Sequence, residues 1–149
     1  SQSDEGAWNP LWFGDQDAPK ELSPVYGTAT AVEYLTSSKS EQAHSMARRG
    51  AEYLAKVQNA DGGWGGQKGI KSKITLTARA LAALAATSRD EYRDAIERGF
   101  NYIYQIWEQG GLSRREPIGL YFSRLWYSEE MYNLTFTLNA LKKLKTTIQ

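Results

Sequence analysis

Cysteine is absent from this 149-residue chain, and His44 is its only histidine. Thiolate chemistry, disulfide stapling and the usual nitrogen and sulfur zinc sites are removed together, so a metal would have to be held by carboxylates alone. Charge of one sign is missing as well. Eighteen Lys and Arg stand against 17 Asp and Glu, which leaves no basic field for a phosphate backbone and argues against nucleic acid as a partner. No apolar run approaches the roughly 20 residues of a membrane span; the longest, around Leu76 to Ala86, is mostly alanine and is interrupted by Arg79. The opening "SQSDEG" has neither the basic n-region nor the apolar h-region of a signal peptide, and a cytoplasmic location is expected. The length suits one domain with one modest core, spanning residues 1–149.

Aromatic rings are plentiful: five Trp, nine Tyr and four Phe. One of them, Trp64, sits among glycines in "QNADGGWGG", where a solvated turn has no use for an indole. An internal repeat supplies the context. Arg49-Gly50-Ala51-Glu52-Tyr53-Leu54 lines up with Arg98-Gly99-Phe100-Asn101-Tyr102-Ile103, and Thr28-Ala29-Thr30-Ala31 with Thr77-Ala78-Arg79-Ala80, both at an offset of 98 − 49 = 77 − 28 = 49 residues. The form Q-x-x-x-G-x-W of Gln58, Gly62 and Trp64 also occurs at Gln2, Gly6 and Trp8. The chain is therefore expected to begin at the tail of one repeat.

Within a repeat the periodicity is helical. Tyr26, Ala29, Val32 and Leu35 share a face after Pro24, and Met46, Gly50, Tyr53, Leu54 and Val57 form a second stripe ending at Gln58. A second pair is predicted from about Lys73 to Ala86 and from Arg89 to Gln109. A last helix opens after Ser128, with Leu134, Leu138, Leu141 and Leu144 on its apolar face. No window alternates over a strand's length. The predicted fold is all-α, a side-by-side stack of antiparallel helix hairpins. A glutamine past a helix end can bond the following turn, and glycines let an indole lie against the helix, so Gln58 to Trp64 reads as a clasp between hairpins that buries about 150–250 Å² of ring.

Arg49-Gly50, Tyr53-Leu54, Gln58, Gly62 and Trp64 satisfy the QW motif of the squalene and oxidosqualene cyclases, which the sequence resembles. "GAWNPLWFGDQ", "SPVYGTA" and "GLYFSRLWYSEEMYNLTFTLNAL" are similar to the C-terminal part of the squalene-hopene cyclase group, in the same order. The copy at Arg98-Gly99 departs from the pattern, with Trp107 where Gln belongs and no clear G-x-W, and a complete clasp is not expected there. The resemblance implies part of an α/α toroid, an incomplete (α/α)6 barrel around an apolar cavity. In such enzymes an aspartic acid protonates a linear isoprenoid, and aromatic faces stabilise the passing cations without metal or organic cofactor.

The resemblance places Trp12, Phe13 and Tyr26 at the cavity, and beside them the segment carrying Tyr121, Phe122 and Tyr127. The acid motif D-x-D-D is absent. Asp15-Gln16-Asp17 is the closest stretch and reads as a solvated loop, as do Lys68, Lys71 and Lys73, while His44 reads as a surface residue. The protein prenyltransferase β-subunit shares the toroid but needs zinc ligands that this composition lacks. The expected function is a triterpene-cyclase-like repeat region that contributes aromatic wall to an isoprenoid cavity and is inactive alone. The alternative is a non-catalytic repeat module holding an apolar ligand or a protein partner. Peripheral membrane contact is implied by the resemblance. Self-association, or the remainder of a longer chain, is expected to cover an apolar flank that includes Tyr26, Leu35, Leu81 and Leu84.

Overall fold

The structure is a computed structural model and describes residues 1–120, 125–129 and 131–146. Among these residues five α-helices carry the fold: α1 (Pro24–Leu35), α2 (Glu41–Lys56), α3 (Ile74–Thr87), α4 (Arg93–Glu108) and α5 (Met131–Thr146). The helix α3 packs against both α1 and α5, and these three make one layer. Outside them α2 covers α1 and α3, and α4 covers α3. The sequence favours this arrangement locally. Pro24 occupies the first turn of α1, where its missing N–H costs nothing, and the Ser40 hydroxyl accepts from Ala43 N at 3.4 Å to cap α2. Alanine dominates α3, which makes it a strong helix former thin enough for neighbours to approach on all sides. Every residue from Ile74 to Ala85 is buried except Arg79.

The all-α expectation holds, with one addition. Among the described residues three short strands, β1 (Phe13–Gly14), β2 (Ile118–Leu120) and β3 (Leu125–Tyr127), form an antiparallel sheet in that order. Phe13 faces Leu120, and Ile118 faces Tyr127. Strands of two or three residues are too short for alternation to register in sequence.

The last helix differs from its predicted use. Its 3.6-residue period is present, but its buried positions are Asn133, Thr137 and Ala140, with Phe136 and Leu144 partly buried against the core. Leu134, Leu138 and Leu141 point away and, with Phe100, Ile103, Tyr104, Trp107 and Leu112, line an apolar groove of about 380 Å³. The apolar flank is therefore this groove between α4 and α5. Leu81 and Leu84 are fully buried, and Tyr26 and Leu35 are half-buried against the core, because α3 is enclosed by α1, α4 and α5 together.

Candidate functional site

Two glutamine clasps hold the ends of the outer helices. Gln58 Nε2 donates to Gly62 O at 2.7 Å within its own turn and to Ala95 O at 2.9 Å on α4. Gln2 Nε2 repeats this with Gly6 O and Met46 O of α2, each at 2.9 Å. Gly6 and Gly62 have φ of +90° and +86°, a region that a side chain rarely enters. A Cβ on Gly62 would also stand 2.5 Å from Arg98 O. Arg98 donates to Gln58 Oε1, whereas Arg49 turns to the carbonyls of Ser3 and Asp4 at 3.1 Å. The Arg-Gly of each repeat thus receives the clasp of the preceding repeat. Arg98-Gly99 receives the clasp of Gln58 and Trp64, while Trp107, standing where the next glutamine would fall, is 56% exposed beside Tyr104.

Trp64 is 0% exposed. Its backbone N donates to Thr77 Oγ1 at 3.0 Å and its indole Nε1 to Leu54 O at 2.7 Å, so it joins α2 to α3 while its ring rests on Gly99 of α4. Trp8 N donates likewise to Thr28 Oγ1 at 2.9 Å, the matching threonine of α1.

The loop carrying Asp15 is not solvated as expected. Asp15 is 2% exposed and accepts from Lys73 Nζ at 2.5 Å, Gly66 N at 2.9 Å and Asp17 N at 3.0 Å. Lys73 is buried too and reaches Asp17 Oδ2 at 2.9 Å. Burial by itself would lower the lysine's pKa, but the hydrogen bonds and charges of Asp15 and Asp17 lift it above its ordinary value. The carboxylate is thus engaged by one cation and two backbone N–H groups. Lys68 and Lys71 are exposed as predicted, and so is His44.

Glu116 is a residue that sequence reasoning missed. Lys73 gives α3 no side-chain cap, and Glu116, arriving from beyond α4, accepts from Ile74 N at 2.8 Å, Thr75 N at 3.0 Å and Thr75 Oγ1 at 3.2 Å. Burial pushes its pKa up, against the pull of those donors and of Lys73. Forty-one residues separate Glu116 from Thr75, so no local cap pattern marks it.

Rings gather in a row that runs from β1 by way of α1, α3 and α5 to β3. Phe13 and Tyr26 have centroids 5.3 Å apart, Phe136 and Tyr132 5.8 Å, and Tyr132 and Tyr127 6.3 Å. Arg79 joins the two halves, its guanidinium carbon 4.4 Å from the Tyr26 centroid and 5.0 Å from that of Phe136. Three predicted site residues, Phe13, Tyr26 and Tyr127, are thus brought together. Trp12 is next to them in sequence but 61% exposed. Tyr121 and Phe122 lie outside the described residues. The missed members are Arg79, Tyr132 and Phe136, and the one available signal was a lone arginine in an alanine-rich run.

Helix hairpins tied end to end by glutamine and tryptophan define a helical repeat protein of the α/α toroid class. The chain belongs to the family described as squalene-hopene cyclase C-terminal domain, which matches residues 1–146. It is 28% identical to the squalene–hopene cyclase of Bradyrhizobium diazoefficiens over 97% of its own length and 23% of the relative's. The figures are the same for the probable squalene–hopene cyclase of Sinorhizobium fredii, and 26%, 97% and 22% for the squalene–hopene cyclase of Zymomonas mobilis. The chain spans about a quarter of the length of these relatives. Among the described residues no helix is long and apolar enough to cross a membrane.

Proposed function

We propose that this chain forms part of the aromatic wall of an apolar, isoprenoid-binding cavity and brings no proton source of its own. The row from Phe13 to Tyr127 across the inner helices carries this reading. The absence of D-x-D-D and the locking of Asp15 by Lys73 support the second half of it. Peripheral membrane contact, and association through the groove between α4 and α5, belong to the same reading. Incubation of the purified protein with squalene should return it unchanged. Cyclic product above a no-protein control would overturn the assignment.

Arg79 favours the second reading, a module that binds an apolar chain without cyclising it. Two unit charges about 6 Å apart at an effective dielectric of about 20 repel by about 3 kcal/mol. One ring face offers a cation only about 0.5–2 kcal/mol. A carbocation brought to Tyr26 or Phe136 would lose more to the guanidinium than either ring returns.

A further inference from the structure

Arg79 is half-buried on α3, and among the described residues no carboxylate pairs with it. Its Nη2 donates to Thr30 Oγ1, whose own hydrogen goes to Tyr26 O at 2.8 Å. Its Nε–H is buried and meets no acceptor. Among the described residues no carboxylate lies within 4.0 Å of its nitrogens; the ion pairs are those of Lys73 with Asp15 and Asp17 and of Arg93 with Asp90. Glu33, three positions beyond Thr30 on α1, accepts instead from Asn139 Nδ2 at 3.0 Å. Removing a cation from water without a counter-ion is costly, and two ring faces with one hydroxyl return only part of the loss.

We propose that this face is a site for the anionic head of an apolar chain, a carboxylate or phosphate group that pairs with Arg79 while its hydrocarbon lies along the aromatic row. The proposal rests on the reading of the inner face as an apolar-chain cavity and adds the head group to it. The sign follows from the guanidinium, which no carboxylate among the described residues neutralises. The geometry follows from its planar fork, which matches the paired oxygens of a carboxylate or phosphate. The tail follows from the rings of Phe13, Tyr26, Phe136 and Tyr132, which adjoin the charge and prefer hydrocarbon to water. A neutral or cationic occupant would cover the half-buried guanidinium further without supplying a counter-charge.

One tail with three heads tests this: farnesyl diphosphate, farnesoic acid and farnesol, titrated calorimetrically into the purified protein and into Arg79→Met and Arg79→Lys. At least one anionic ligand should bind about tenfold more tightly than farnesol, and that preference should shrink to about twofold in Arg79→Met. Whichever acid gains more identifies the head group. A preference that survives Arg79→Met places the anion elsewhere and overturns the proposal. Equal binding of all three overturns it too, but leaves the apolar cavity standing. No binding by any of them removes both. If Arg79→Met fails to fold, Arg79→Lys decides: it keeps the charge but not the fork, and the anionic preference should fall by about threefold or more. An unchanged preference would then count against the guanidinium as its source.

Discussion

Trp64 occupies the volume that Gly99 leaves open: a Cβ on residue 99 would stand 2.7 Å from Trp64 Cζ3 and 2.8 Å from Leu81 Cδ2. Gly50 and Trp8 stand in the same relation one repeat earlier, at 2.9 Å. The glycine of each Arg-Gly pair therefore belongs to the tryptophan of the preceding repeat, and the two are separated by 99 − 64 = 35 and 50 − 8 = 42 residues.

Trp64→Ala should cost about 3–5 kcal/mol, since a fully buried indole is lost together with its bond to Leu54 O. Trp8 is only half-buried, and Trp8→Ala should cost less. Urea unfolding measures both. A loss under about 1 kcal/mol for Trp64→Ala would sink the clasp as a packing element.

Lys73→Met leaves Asp15 buried and unpaired, and should cost about 3–5 kcal/mol. The double variant Asp15→Asn, Lys73→Met should recover part of this, because the stranded charge is gone. Asp17→Asn should cost under about 1 kcal/mol, as that carboxylate is half in solvent. Equal losses for Asp15→Asn and Asp17→Asn would show that burial does not separate the two pairs.

Glu116 has a pKa raised above 4.5, so in the folded state it holds its proton to higher pH than in the unfolded chain. Its titration therefore contributes stability that is present below pH 4.5 and is lost as pH rises through the folded value. The stability of the wild type minus that of Glu116→Gln should fall as pH rises from about 4 to about 7. A difference that stays flat, or that grows with pH, contradicts the burial of this carboxylate.

The groove between α4 and α5 should drive self-association at micromolar concentration, in keeping with its wholly apolar lining residues apart from Thr137. Leu138→Glu, on its exposed wall, should shift the protein toward monomer in analytical ultracentrifugation while leaving its unfolding midpoint nearly unchanged. A monomeric wild type would mean that this groove is not a contact between copies.

The helices and the clasps were legible because both are local: a period of 3.6 residues and the Gln58-to-Trp64 spacing are properties of neighbouring positions. What a face packs against is not local. The leucines of α5 have a core-like period, yet only Leu144 packs on the core, beside Phe136 and the buried Asn133, Thr137 and Ala140, while Leu134, Leu138 and Leu141 stay exposed. Asp15 and Lys73 read as loop charges and are buried as a pair at the start of α3, and Glu116, which no local pattern marks, caps that same end from 41 positions away.

The sequence by itself determined that this chain is a repeat of helix hairpins, tied by glutamine and tryptophan, with no cysteine and no D-x-D-D acid. Only the tertiary structure decided which repeat each clasp grips, and that Arg79 stands between Tyr26 and Phe136. The reason is physical: backbone propensity and periodicity act over a turn or two of chain, whereas the pairing of a charge or the seating of a ring depends on side chains that only folding brings within a few ångströms.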